Sequence, residues 1–451
     1  MTNTHLENNA LMGKLLIWLG VLLLLRLISL WFNNSELFFD EAQYWAWSET
    51  FEFGYFSKPP LLAWIIAITT GVFDSNSEFF VRLAAPVLHT GTAVIVYLTA
   101  QKLFDEKVAF WSGLSYALLP AVTLSSTIIS TDVPLLFCWS LALLAYANLI
   151  KGENFSNRWL LLLLLAIGFG LNAKYAMAYF IGCAFVHLIF CRSDNPPAGS
   201  ISFWLVALAG FTMLIPNALW NLENDFVTAS HTAENIGWDG FSPNWTGFLD
   251  FFGSQFGVFG PIMFGMYIAT LWSMRRDTIS ESHRMLVAFS LPVLVTILAQ
   301  AIISKAYANW AAVTYIAATI LVVEILVNRV PWGWMRTTLS IHGVAFVLIT
   351  VAVCFAGPGQ LNLPSGIEPF KRTQGAAEIA DKVRKQLEAF EYNAVVTTNR
   401  RLSALMHYNL RQREESKLAW RFGDTPKDHF ELEYALQDSL RDPILVVSHL
   451  K

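Results

Sequence analysis

Charge is what this chain is shortest of. Only 14% of its 451 residues are Asp, Glu, Lys or Arg, against 55% hydrophobic, a balance too apolar for an ordinary soluble protein. The net charge of −4 provides no basic surface, which argues against nucleic acid as a partner and makes the position of each charge the informative quantity. Cysteine is scarce as well. Cys138, Cys183, Cys191 and Cys354 fall in or at the ends of apolar runs without metal-ligand spacing, and read as free thiols in a membrane. No repeat, low-complexity tract or heptad is visible, which weighs against an inverted-repeat transporter. No small-residue cleavage site follows the first apolar run, so that run reads as a retained first span with a cytoplasmic N-terminus.

What the chain has instead is long apolar runs and a mean hydropathy of +0.46. Leu15 to Phe32, Val81 to Ala100, Trp159 to Leu171, Phe203 to Trp220, Ile262 to Trp272, Met285 to Ile303, Trp310 to Val327 and Leu339 to Phe355 read, with their flanks, as membrane spans. Pro59 to Phe73 is about 15 residues, short of the roughly 20 needed to cross, and reads as interfacial or re-entrant. With that choice Lys102, Lys107, Lys151, Arg158, Arg192, Arg275, Arg276, Arg284, Arg329 and Arg336 share the side of the N-terminus, the positive-inside pattern. The opposite side collects Glu36, Asp40, Glu41, Asp132, Glu223, Asp225 and Asp239, with Lys58, Arg82, Lys174 and Lys305 as its basic exceptions.

The expected architecture is an all-α polytopic membrane protein of about eleven transmembrane helices, followed by a small C-terminal α/β domain. Residues 1–357 would form the membrane body with its external loops. Residues 358–451 would form a soluble domain on the external side, because an odd number of crossings separates it from the N-terminus. In it Ile379, Val383, Leu387 and Phe390 repeat at helical spacing ahead of a strand Ala394 to Thr398, a helix near Arg400 to Leu410 and a strand Ile444 to Ser448.

The chemistry-bearing residues lie in the external segments. Phe39-Asp40-Glu41-Ala42-Gln43-Tyr44-Trp45 places two adjacent acids before aromatics just after a span. An aromatic belt accounts for Tyr44 and Trp45 but does not require the acids. Lys58 precedes Pro59-Pro60, which fix the start of a short helix, and its ammonium could hold a phosphate or simply snorkel at the interface. Asp132, in Ser130-Thr131-Asp132-Val133-Pro134, sits at a membrane boundary, where an acid is costly without hydration or a task. Lys174 breaks an apolar run at Asn172-Ala173-Lys174-Tyr175, and Lys305 stands near Asn309-Trp310. Asn217, Trp220 and Asn221 open a long external loop, Asn221 to Phe248, that also carries His231. One histidine among scattered acids is thin support for a metal. Acids from two loops and lysines from three thus gather on one face, where lysines suit an anionic phosphate and carboxylates suit an attacking nucleophile.

The order of Asp40-Glu41, Lys58-Pro59-Pro60-Leu61, Val81-Arg82-Leu83, Thr131-Asp132-Val133-Pro134-Leu135, Ala173-Lys174-Tyr175, Pro216 to Asn221 and Asn309-Trp310 resembles the bacterial dolichyl-phosphate-mannose protein mannosyltransferase-like proteins. This is the broad GT-C group that includes the aminoarabinose transferase of lipid A. The resemblance implies transfer of a sugar from a polyprenyl phosphate, in bacteria usually undecaprenyl phosphate, to a lipid A, lipopolysaccharide, other glycan or protein acceptor. The site would face the periplasm from the inner membrane. It implies Asp40, with Glu41 and Asp132, as the catalytic acids, and Lys58, Lys174 and Lys305 as the donor-phosphate cations. Tyr44, Asn217, Trp220, Asn221 and Asn309 would complete the pocket. Ser57 stands where the aminoarabinose transferases carry an acid, which leaves His231 as the remaining candidate ligand for a divalent cation. A transporter or flippase for a lipid-linked saccharide is the alternative, and would need polar residues near the midplane and paired half-helix breaks.

Overall fold

A computed structural model of the protein describes residues 2–151, 156–190, 197–236, 243–274, 280–357, 373–437 and 443–448. Cys191, Arg192, Asp239, Arg275 and Arg276 lie outside the described residues. The chain is mostly helical, and its apolar runs become helices because in lipid a backbone must satisfy its own polar groups. Among the described residues six helices are long and apolar enough to cross a membrane: Ala10–Trp31, Glu78–Leu103, Asp132–Lys151, Ile201–Glu223, Glu281–Ile303 and Gly333–Cys354. A seventh candidate is the pair Trp245–Val258 and Pro261–Ser273, bent by 113°. The bend follows from Gly260, whose φ of +90° favours glycine, and from Pro261, which starts the second half. Leu61–Val72 is an apolar helix of 12 residues, about 18 Å at 1.5 Å per residue, well short of a bilayer core.

Contacts divide the chain into two compact units. The first comprises Met1–Ile28, Ala85–Ala218 and Ala233–Thr350, and its most deeply buried span is Asp132–Lys151. Helices Asn157–Ala173 and Ile201–Thr212 approach so closely that a Cβ on Gly168 would lie 2.1 Å from Met213 Sδ, the small-residue packing expected between membrane helices. Buried charge here is partnered: Glu324 lies 2.9 Å from His283 Nε2 and 3.4 Å from Arg329 Nε. Cys138 and Cys183 are free thiols, and so is Cys354 of the other unit.

The second unit comprises Ser29–Ala84, Leu219–Thr232 and Val351–Lys451. Its sheet has three parallel strands, β1 Ala394–Thr397, β2 Ser416–Ala419 and β3 Ile444–Val447, in the order β2-β1-β3. Helix Arg400–Asn409 follows β1, and helix Ala376–Ala389 precedes it. The expected helix, strand, helix and final strand are all present; β2 and the short helix His429–Glu433 were not foreseen. The sheet is joined to the segment that follows the first long helix. Helix Phe39–Ser48 packs on Arg400–Asn409, with Trp45 edge-on to Tyr408 at 5.0 Å. The Tyr408 hydroxyl donates to the Asn76 carbonyl at 2.8 Å. Glu36 closes the N-terminus of helix Ala376–Ala389, accepting from the Ala376 and Ala377 amides at 2.6 and 3.1 Å, as favoured for an anion at that end.

Candidate active site

The two neighbouring acids of the first loop have different fates, and the helix period explains why. Residues one apart on a helix point about 100° from each other. Helix Phe39–Ser48 begins after extended Phe38, and Glu41 reaches back to accept from the Phe38 amide at 3.0 Å. Both Glu41 oxygens then meet Arg82, whose Nε and Nη2 donate at 2.9 and 2.8 Å. The same guanidinium donates to the carbonyls of Ser35 and Glu36. With side chains 3% and 1% exposed, Glu41 and Arg82 form a buried fork that fixes the loop, with no free edge for a substrate.

Asp40 points away from that pair and is one-third exposed. Arg400 Nη2 donates to its Oδ1, and among the described residues no hydrogen-bond partner engages Oδ2. Arg400 Nε donates to Gln43 Oε1 at 2.6 Å, and its guanidinium stands 5.1 Å from the Phe39 ring centre. Tyr44, by contrast, is buried against Trp47.

Lys58 is presented by a tight turn. The Tyr55 and Lys58 backbones exchange hydrogen bonds at 3.1 and 3.3 Å, and Pro59-Pro60 then start helix Leu61–Val72. Tyr55 anchors the turn: its ring stacks on Trp47 at 4.8 Å, and its carbonyl accepts from Thr228 Oγ1 at 2.9 Å. Burial raises the Tyr55 hydroxyl pKa, so it remains a neutral donor. Trp220 and Asn221 are buried at the end of helix Ile215–Glu223. The expected loop from Asn221 to Phe248 is helical in Val227–Ile236 and from Trp245 onward. His231 packs on Phe56 at 5.4 Å. Among the described residues no group of three or more His, Cys, Asp or Glu side chains is placed to hold a metal.

In the first unit Asp132 opens the helix Asp132–Lys151. Lys174 Nζ donates to its Oδ1 at 2.7 Å and Asn309 Nδ2 to its Oδ2 at 2.6 Å. Lys174 reaches it from the extended break between Asn157–Ala173 and the turn Tyr175–Ala178. The next residue, Tyr175, donates from its hydroxyl to Asn217 Oδ1 at 2.7 Å. One expected acid and one expected phosphate cation thus neutralise each other, and Asn309 completes the cluster. Lys305 lies exposed between Leu291–Ile303 and Ala308–Ala311.

Three partners were missing from the expected set: Arg82, Arg400 and Gln43. Arg82 had a signal, as a basic residue on the side that disfavours one. Arg400 had none, because nothing local ties it to a residue 360 positions away.

Residues 57–220 match the family model described as dolichyl-phosphate-mannose-protein mannosyltransferase. The chain is 36% identical over 439 residues to the lipid A galacturonosyltransferase RgtD of Rhizobium johnstonii, covering 96% of this chain and 90% of that one. Its fold is similar to the crystal structure of ArnT from Cupriavidus metallidurans in the apo state, with a TM-score of 0.68 at 15% identity over 94% of this chain and 89% of that one. The undecaprenyl phosphate complex of that ArnT gives 0.63 at 15% identity over 91% and 86%. The fold and the relatedness to RgtD are those of a polytopic membrane glycosyltransferase. The chain belongs to the GT-C glycosyltransferases that use a lipid-phosphate-linked sugar donor, the family of RgtD and of the dolichyl-phosphate-mannose protein mannosyltransferase-like enzymes.

Proposed function

We propose that the protein transfers a galacturonosyl or closely related sugar from undecaprenyl phosphate to lipid A or the lipopolysaccharide core, at the periplasmic face of the inner membrane. The observation that carries this reading is the identity to RgtD along nearly the whole chain. Topology by the charge rule supports the placement. We count the six long helices, the bent pair, Glu106–Leu118, Asn157–Ala173, Tyr175–Phe190 and Thr314–Asn328 as eleven crossings, with Leu61–Val72 left at the interface. Residues 358–451 then form a periplasmic domain.

In the proposed mechanism the acceptor oxygen attacks the anomeric carbon while the carbon–oxygen bond to the phosphate breaks, its electron pair leaving on the polyprenyl phosphate. That leaving group is already good, so the enzyme chiefly positions the acceptor and stabilises the departing charge. Of the three carboxylates, Glu41 and Asp132 have both oxygens engaged, whereas among the described residues only one oxygen of Asp40 is. We therefore assign Asp40 to the acceptor: general base for a hydroxyl, orienting group for a phosphate. Lys58, Lys174 and Lys305 are assigned to the donor phosphate and Asp132 to holding Lys174. Glu41 supports the loop that carries Asp40.

The test is mass spectrometry of lipid A and lipopolysaccharide from cells with and without the protein, paired with purified protein given undecaprenyl-phosphate-linked galacturonic acid and lipid A. Transfer of a hexuronic acid is the expected outcome. Unchanged glycolipids in cells, together with no product in vitro, would overturn the assignment.

A further inference from the structure

We propose that Arg400 is a positioning residue for glycosyl transfer, delivered by the C-terminal α/β part of the second unit to the carboxylate of Asp40. The proposal rests on the reading of Asp40 given above. Its geometry is independent of that reading. Arg400 is the first residue of helix Arg400–Asn409, and that helix is capped by Asn399, whose Oδ1 accepts from the Leu402 amide at 3.0 Å. Its backbone is therefore fixed before its side chain is considered. The guanidinium then bridges two residues one helical turn apart on the facing helix, Asp40 through Nη2 and Gln43 through Nε at 2.6 Å, and lies 5.1 Å from the Phe39 ring centre. Three contacts of different kinds set the plane of one side chain. A planar fork makes the two hydrogen bonds from separate nitrogens in a fixed geometry, which a lysine ammonium does not reproduce.

The pair is not a buried structural bridge. Its side chains are 35% and 33% exposed, against 1% and 3% for Arg82 and Glu41 on the same loop. An ion pair this exposed contributes little to stability, whereas a group that must meet an acceptor needs this accessibility. Engagement of Oδ1 fixes the carboxylate plane and leaves Oδ2 for the acceptor. For a hydroxyl acceptor, the proton passes to Oδ2 as the bond to the anomeric carbon forms and the phosphate departs with its electron pair. Arg400 touches neither reacting atom; it acts by holding Asp40 in one orientation, and misplacement of a base by even 1 Å can cost a hundredfold in rate.

The experiment is steady-state transfer by the full-length protein in detergent, with undecaprenyl-phosphate-linked galacturonic acid and lipid A as substrates. It compares Arg400→Met, Arg400→Lys, Gln43→Ala and Asp40→Asn with Arg401→Met, an exposed neighbour, as control. Arg400→Met is expected to lower kcat about 10- to 100-fold with the donor KM within about twofold of wild type. Arg400→Lys should fall between, Gln43→Ala should lose less than Arg400→Met, and Arg401→Met should match wild type. Arg400→Met with the kcat of the control overturns the proposal, and so does a raised donor KM at unchanged kcat, which would mark a substrate contact. Should Arg400→Met fail to fold, Arg400→Lys and Gln43→Ala decide. Lowered kcat at constant KM supports the role, and wild-type kcat in both rejects it. Turnover retained by Asp40→Asn defeats the reading of Asp40 itself. Asp40→Asn inactive beside a fully active Arg400→Met defeats only the role of Arg400.

Discussion

Lys174 and Asp132 meet at 2.7 Å, with side chains 20% and 11% exposed, so that a lysine suited to a phosphate and an acid suited to a nucleophile are bound to each other. Coupled neighbours of this kind should not behave additively. Lys174→Met leaves Asp132 with only Asn309, and Asp132→Asn leaves a partly buried ammonium unpaired. The double variant is expected to be more stable than the sum of the single losses implies, by about 0.5–3 kcal/mol of coupling. Thermal unfolding of the four proteins in one detergent measures this, and additive losses would show the pair to be energetically inert.

Asp40→Asn should leave the protein folded and abundant while removing transfer, because the carboxylate is one-third exposed and contributes little to packing. Product per mole of purified protein is the measurement. Near wild-type turnover would exclude Asp40 from the chemistry.

The Glu41–Arg82 fork predicts the opposite phenotype. Glu41→Gln or Arg82→Met strands a buried charge and should cost about 3–5 kcal/mol in stability. Any loss of activity should follow the loss of folded protein. Equal melting temperatures for wild type and Arg82→Met would contradict the prediction.

Those pairings were also the part of the molecule least legible in the sequence. The elements of the C-terminal part were readable: the expected strand from Ala394 to Thr398 is β1, and the helical spacing of Ile379, Val383 and Leu387 lies in Ala376–Ala389. Periodicity is local, and four to fourteen residues suffice to express it. Strand β2 escaped because its residues, Ser416, Lys417, Leu418 and Ala419, carry little β-propensity and are held by the register to β1. Only the first turn of helix Trp245–Val258 falls in the expected loop, and the break at Gly260 left the rest of that helix apart from the apolar run Ile262 to Trp272. Sorting charges by membrane side brought Asp40, Asp132, Lys58 and Lys174 to one list. That sorting could not say which charges cancel, because the choice of partner is set by folding over separations of 41, 42 and 360 residues.

Stability of the second unit should depend on pH through two histidines. His429, edge-on to Trp47 at 5.6 Å, is held neutral by burial, its pKa lowered from 6.5 to about 3. His407, beside Phe430 and Tyr434, is lowered by burial from 6.5 to about 4. Between about 6.5 and 4 the unfolded chain takes up protons that the folded chain refuses, so stability rises with pH across that window and is lost as pH falls through it. The slope approaches about 1.4 kcal/mol per pH unit for each histidine. Tryptophan-detected denaturation at a series of pH values checks this. His429→Leu should roughly halve the slope, and an unchanged slope would remove His429 as its source.

An alkaline phosphatase fused after Lys451 should be active in cells, because the charge rule puts that end in the periplasm. A fusion after Arg276 should be inactive. The reverse pattern would invert the topology.

The Glu36 carboxylate that closes helix Ala376–Ala389 has a bearing on how the enzyme is made. During synthesis the first loop emerges with Glu36 and Asp40 already in place, but their partners Ala376 and Arg400 follow 340 and 360 residues later. Until then the loop has no helix end to bind and its carboxylate has no cation. A ribosome stalled part-way therefore leaves in the membrane a fragment with an acid but no fixed geometry for it. On the proposed role of Arg400, competence for glycosyl transfer would arise only when translation has reached helix Arg400–Asn409.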